Sequence, residues 1–322
     1  MKKQLKEPLI SLAWFFLRIL LPQSYREFLL STWCVPEKRN WFDNKIYPIL
    51  VYCWFAREFY TEPDPDLRVC KQKLLMGGDS GVNWANIYYT RPFPHSKDER
   101  CGELSFSEAC PIFERIYLAC KNAPDDTYFF QIGSSSGREI AWLAKDFPKI
   151  HFFGTDLYPA VVDFCNTKFK FSNLKFFAMS AKDIHQALEV LDNKNIILFS
   201  SGSLQYVQPE HLDYFFKYSL KNNNKIEIHA HESCREKHGE VLDMKGSLPD
   251  GNFTYSHNYA HYARKNGWNV LTSKIIRPYV PYDKYPGYLF RVHYDFVCTN
   301  KESSKADLAR PQNMNSLEAS VI

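Results

Sequence analysis

The chain has 322 residues, 45% hydrophobic and 16% aromatic, enough apolar side chain for one large domain or a domain with an added lobe. Its formal net charge of +4 is small for this length, and without a dense basic patch the composition argues against non-specific nucleic-acid binding. Nine irregularly spaced cysteines with no C-x-x-C pair read as reduced thiols of a cytosolic protein, not as a disulfide framework.

Lys2, Lys3 and Lys6 precede an apolar run over 8–22. Arg18 interrupts that run, no small-x-small cleavage site follows, and it falls short of the ~20 residues of a membrane span. It predicts a helix that either packs on the domain or lies at a membrane surface, lysines at the headgroups and Trp14, Phe15 and Phe16 in the acyl boundary. Short helices broken at Pro22, Pro36 and Pro48 fill 1–60, and TEPDPD (61–66) makes a turn. GGDSG (77–81) and RPFPHSKDERCG (91–102) mark 67–104 as an irregular segment with the character of a lid. Residues 1–104 are therefore expected to form an extension, mainly helical and irregular.

From 105 the pattern becomes regular. A helix is expected over 105–122, opened by Ser105 and Ser107 with Glu108 in its first turn. Strands are expected at 128–133, 151–155, 174–179, 195–200 and 225–230. Helices over 136–147, 158–169, 181–191 and 209–220 separate them, the last opened by Pro209. A helix over 256–267, closed by Gly267, precedes two final strands at 268–276 and 288–298. The tail from 300 to 322 is polar and reads as disordered. Strand–helix alternation predicts an α/β, doubly wound, seven-stranded, mostly parallel sheet over 105–299, with a terminal antiparallel hairpin. Ligands bind such sheets at the carboxyl ends of the strands.

Gly133-Ser134-Ser135-Ser136-Gly137 spells G-x-S-x-G at the first strand–helix turn, a pattern that can present a nucleophilic serine. A serine hydrolase also needs an oxyanion loop from an earlier strand, and no strand precedes 128. A nicotinamide-binding loop asks for glycine where Arg138 stands. A cofactor loop of a third kind fits better. Gly133 lets the chain turn off the strand, Gly137 lets the helix start close to a ligand, and Ser134 and Ser136 offer hydroxyls and N–H groups. Asp156, at the end of the second strand, can accept from two ribose hydroxyls or serve as a helix cap.

This order of strand, glycine-rich loop, helix, strand and acid, followed by five strands of which the last two form a hairpin, resembles the class I S-adenosylmethionine-dependent methyltransferases. The family's loop, E/D-x-G-x-G-x-G, appears here as Gln131-Ile132-Gly133-Ser134-Ser135-Ser136-Gly137, with Gln131 for the leading acid and Ser135 for the middle glycine. The resemblance implies S-adenosylmethionine as cofactor, bound by Gln131, Gly133, Ser134, Ser135, Ser136, Gly137, Asp156 and Leu157. It adds Ser180, Ala181 and Asp183 after the third strand and Ser200 and Ser201 after the fourth. The implied reaction is methyl transfer, with O-methylation of a small-molecule or glycan-like acceptor expected. The alternatives are a non-catalytic binding module and, behind it, a serine hydrolase using Ser135.

Taking a proton from a hydroxyl acceptor suits a histidine. His231, expected just after the fifth strand, is the first candidate, with Glu232 to orient it; His257, expected at a helix start, is the second. His229, His231, Glu232, Cys234 and His238 crowd ten residues, but their spacing matches no four-ligand zinc site, so no metal is expected. Tyr206, Tyr255, Tyr259 and Trp268 are candidates for acceptor-pocket walls. No nucleic-acid partner is expected, the location is read as cytoplasmic with possible contact of 8–22 with a membrane surface, and the oligomeric state stays open.

Overall fold

The computed structural model describes residues 111–220, 223–235, 245–250, 253–276 and 291–300, with isolated positions Arg68, Val69, Gln72, Gly81, Val82 and Ala85 before them. The helices expected over 1–60, the apolar run 8–22, the turn at 61–66, the rest of 67–104, the opening at 105–110 and the tail beyond 300 lie outside the described residues.

In chain order the elements are α1 (Pro111–Asn122), β1 (Tyr128–Ile132), α2 (Arg138–Asp146), β2 (His151–Asp156), α3 (Pro159–Lys168), β3 (Leu174–Ala178), α4 (Ile184–Glu189), β4 (Asn195–Ser201), α5 (Pro209–Tyr218), β5 (Lys225–Arg235), β6 (Ser247–Asp250), β7 (Thr254–His257), α6 (Tyr259–Lys265), β8 (Asn269–Ile276) and β9 (Arg291–Thr299). Seven strands form one sheet in the order β3-β2-β1-β4-β5-β9-β8. The β3-β2-β1-β4-β5 part is parallel, and β9 runs antiparallel to both β5 and β8. The strand order reverses between β1 and β4, which makes the carboxyl ends of these two strands the ligand-binding crevice of the fold.

Side-chain alternation along the central strands builds two cores. Phe129, Ile197 and Phe199 face α1, α2 and α3, whereas Phe130, Ile132, Ile196 and Leu198 face α4, α5 and α6. Phe129, Phe152 and Phe199 are fully enclosed, with neighbouring ring centroids 5.2 and 6.1 Å apart. Cutting Phe199 back to alanine would cost about 3–5 kcal/mol. Pro159 and Pro209 start α3 and α5 at positions where the missing N–H is not needed.

Three boundaries depart from the sequence expectation. β5 runs on to Arg235, paired with β9 from Glu227–Thr299 to Arg235–Arg291, so His231 and Glu232 stand within the strand and not beyond it. Residues 254–257 belong to β7, paired with β6 in a small separate sheet. α6 then starts at Tyr259, where the Asn258 side-chain oxygen accepts from the His261 N–H at 3.0 Å. The segment expected as one helix over 181–191 is a 3-10 turn at Ala181–Asp183 followed by α4.

Candidate functional site

The loop leaving β1 is fixed by its own backbone. Ser134 N–H donates to the Thr155 carbonyl at 2.7 Å, and Gly137 N–H donates to the Ser134 carbonyl at 2.8 Å. Gly133 has φ +67°, and a Cβ there would lie 2.1 Å from Ser203 Oγ. Both the turn and the close approach of the β4 loop therefore require glycine. Ser203 Oγ donates to the Gly133 carbonyl at 3.2 Å, tying the two loops together. Gly137 has φ +65° and packs against Phe176 and Cys165.

Asp156 at the end of β2 reaches into this loop. Its Oδ2 accepts from Ser135 N–H at 3.1 Å and its Oδ1 from Tyr158 N–H at 3.2 Å. The bond to Tyr158 shows the local role of the carboxylate; the helix cap itself is Tyr158, without a side-chain cap bond. Burial raises the Asp156 carboxyl above its ordinary value, while the N–H groups of Tyr158, Ser135 and Leu157 pull it back down. Two accepted bonds leave further lone pairs for a ligand diol.

Two polar atoms beside the loop are buried without a partner: Gln131 Oε1 and Ser134 Oγ, on residues 2% and 5% exposed. Such atoms cost about 1–3 kcal/mol each when left unsatisfied, so this cradle favours a polar ligand that pairs with them. The amide of Gln131 is oriented, for its Nε2 donates to Glu139 Oε2 at 2.7 Å. Burial pushes Glu139 up to about 7, opposed by Gln131 and Arg138. Glu139 escaped the sequence reading because it looks like an ordinary first-turn acid of α2. The signal for it was Gln131 itself, an amide at the family's acid position that needs an orienting partner.

Ser135 has φ +45°. Its backbone is engaged, by N–H to Asp156 and by a carbonyl that accepts from Cys165 Sγ at 3.1 Å. Among the described residues no histidine is hydrogen-bonded to its hydroxyl, as a serine nucleophile would need. Met179 N–H donates to the Asp156 carbonyl at 2.8 Å, so the chain leaves β3 beside Asp156. There Ser180 Oγ donates to Asp183 Oδ2 at 2.6 Å, with Ala181 between them in the 3-10 turn. Leu157 is 49% exposed next to Asp156. The structure thus brings Gln131, Gly133, Ser134, Ser135, Ser136, Gly137, Asp156 and Leu157 to one end of the sheet, with the Ser180–Asp183 turn alongside.

The β4 end differs from expectation. Ser200 is 1% exposed and its Oγ donates to Glu232 Oε1 at 2.5 Å. Glu232 Oε2 accepts from Gln205 N–H at 3.2 Å, and the carboxyl is wholly enclosed. Burial pushes it up to about 7, against the bonds from Ser200 and the N–H groups of residues 203–205. Glu232 therefore holds the loop after β4, from the face of β5 opposite His231; adjacent strand residues point to opposite faces, so it does not orient that histidine.

His231 pairs with Ser201 in register, and its carbonyl accepts from Gly202 N–H at 2.9 Å. Its Nδ1 lies 3.7 Å from Asp295 Oδ1, and its ring stacks on His293 at 4.4 Å and 11°. The second candidate, His257, is 1% exposed inside β7, with Nδ1 2.5 Å from Ser247 Oγ. Burial drives its pKa down to about 3, which leaves it a poor base. Tyr255, Tyr259 and Trp268 are core side chains at 5%, 1% and 4% exposure, not pocket walls. Tyr206 stacks on Phe253 at 5.6 Å. His238 lies outside the described residues, and among those described no three His, Cys, Asp or Glu side chains are grouped to hold a metal ion.

No protein-family model matches the chain. A tRNA (guanine-N(7)-)-methyltransferase of Mycoplasmopsis agalactiae is 24% identical over 150 residues, which cover 46% of this chain and 66% of that protein, just under two thirds of its length. Among solved structures, the mycolic acid cyclopropane synthase CmaA1 complexed with SAH superposes with a TM-score of 0.45 at 10% identity, over 69% of this chain and 94% of that one. A geranyl diphosphate C-methyltransferase of Streptomyces coelicolor A3(2) gives 0.43 at 12% identity, over 70% and 99%. The strand order, with its antiparallel β9 inserted between β5 and β8, and the glycine loop between β1 and α2 give this chain the class I S-adenosylmethionine-dependent methyltransferase fold.

Proposed function

We propose that the chain transfers a methyl group from S-adenosylmethionine to a hydroxyl of a small-molecule or glycan-like acceptor. The observation that carries this reading is the convergence of the Asp156 carboxylate on the Ser135 N–H, beside the unpartnered Gln131 Oε1 and Ser134 Oγ. In this reading Asp156 accepts from the ribose hydroxyls, and Leu157 with the Ser180–Asp183 turn flanks the adenine. Gln131 Oε1 accepts from the ammonium, and Ser134 and Ser136 meet the carboxylate at the start of α2. When bound, the cofactor supplies a methyl group on a cationic sulfur and departs as a neutral thioether. What the protein adds is alignment and a base.

His231 takes the acceptor's proton in this account, since it lies on β5 level with Ser201 at the carboxyl end of β4 and keeps 12% exposure of its side chain. The test is transfer of label from S-[methyl-³H]adenosylmethionine to a panel of phenols, glycans and tRNA, the last included because of the M. agalactiae relative. Transfer to hydroxylated small acceptors, lost by ~10²-fold or more in H231Q with cofactor affinity unchanged, supports the reading. Label confined to tRNA would replace the acceptor, and transfer undiminished in H231Q would remove the base. A cytoplasmic location with membrane-surface contact through 8–22 belongs to the same proposal; among the described residues no helix is long and apolar enough to cross a membrane.

A further inference from the structure

β5 and β9 place His231 directly opposite Asp295. Residues so paired project to the same face, so the carboxylate comes to the imidazole by register and not by chance contact. Asp295 is 3% exposed; its Oδ2 is hydrogen-bonded, whereas its Oδ1 faces His231 beyond hydrogen-bond distance. Oδ1 lies 3.7 Å from His231 Nδ1, and Oδ2 lies 2.6 Å from Nη1 of Arg115, which reaches down from α1. His293, two residues back on β9, covers the imidazole as a parallel ring. Three elements, α1, β5 and β9, thus meet around Asp295.

We propose that Asp295, clamped by Arg115, is the positioning residue for His231, fixing its proton on Nδ1 and leaving Nε2 as the basic nitrogen. The role rests on His231 being the base of the proposed transfer. An ionised carboxylate can only accept, so the nitrogen that faces it is the one favoured to carry the proton. Burial works to raise the Asp295 carboxyl, but His231 and Arg115 hold it well below the usual carboxylate range, so it is charged at neutral pH. The guanidinium supplies a charge-assisted hydrogen bond to the buried carboxylate through one N–H. When Nε2 receives a proton, the charge that forms on the ring faces an ionised Asp295, which itself takes up no proton.

The assay is the ring tautomer, read by long-range ¹H–¹⁵N correlation on the full chain labelled with ¹⁵N-histidine, at the alkaline plateau of the titration. H231Q assigns the signal. The expected result is a bias of about tenfold or more toward Nδ1–H in His231, the worth of one charge-assisted contact. In D295N and R115Q the bias should fall or reverse, and D295E should restore part of it. A wild-type ring protonated on Nε2, or a tautomer unchanged in D295N, overturns the proposal; the wild-type spectrum alone decides it if the variants do not fold. Calorimetry with S-adenosylhomocysteine separates the two levels. D295N should bind like wild type, while absence of binding by wild type removes the methyltransferase reading and leaves the tautomer result standing.

Discussion

Replacing Ser135 by glycine should stabilise the protein and leave cofactor binding intact. Ser135 adopts φ +45°, a left-handed conformation that costs a side-chain-bearing residue about 1–2 kcal/mol. Its contacts within the loop, the N–H to Asp156 and the carbonyl to Cys165, are made by backbone and survive the loss of the hydroxymethyl group. Against this gain stands the greater freedom of glycine in the unfolded chain, about 0.4–1 kcal/mol. The net expectation is about 0.5–1 kcal/mol of added stability, or about 1–3 °C in Tm for a chain of this size. Urea and thermal unfolding measure it, with S-adenosylhomocysteine calorimetry alongside. A loss of 1 kcal/mol or more, or of cofactor affinity, would refute the reasoning, because the hydroxyl would then carry a bond the backbone account does not contain. A hydrolytic activity abolished by S135G would restore the nucleophile reading.

G133A should cost about 2–4 kcal/mol, since the new Cβ meets Ser203 Oγ at 2.1 Å at a positive φ; thermal melts would show the drop, and wild-type stability would contradict the close approach. Glu232 gives a pH dependence. Its pKa rises on folding from 4.5 to about 7, so its contribution is whole below the lower value and is lost as pH climbs through the higher, a change of about 3 kcal/mol. E232Q should flatten that part of the stability–pH curve, and an unchanged slope would count against the buried carboxyl as its source. Q131E sets a second carboxylate where the amide now lies 2.7 Å from Glu139, so it should weaken S-adenosylhomocysteine binding, while the exchanged pair Q131E/E139Q recovers it. Equal affinity in all three proteins would show that the pair does not orient the amide. Liposome flotation of the full chain and of a form lacking 1–22 tests the surface helix, with binding expected only for the full chain.

The sequence alone yields the alternation of strands and helices over 128–299 and the glycine loop with its acid, because apolar periodicity and turn chemistry are local. It ended β5 at residue 230, where His231 to Ser233 look too polar for a strand although β9 pairs the strand on to Arg235. It also missed β6 and β7, because strands of four residues are too short to show a periodicity, and with them the enclosed setting of His257. The partner of His231 was out of reach for a different reason. Asp295 and Arg115 are 180 positions apart in the chain and meet only through the sheet order. The one trace was in β9, where His293 and Asp295 alternate onto one face of the strand as His229 and His231 do in β5.

Titration of S-adenosylmethionine and S-adenosylhomocysteine into wild type and D156A by calorimetry tests the central claim most directly. The account predicts a single site in wild type, weakened by about 10²-fold or more in D156A, which loses charge-assisted bonds to a ribose diol. No heat from wild type at millimolar ligand, or equal affinity in D156A, would contradict it.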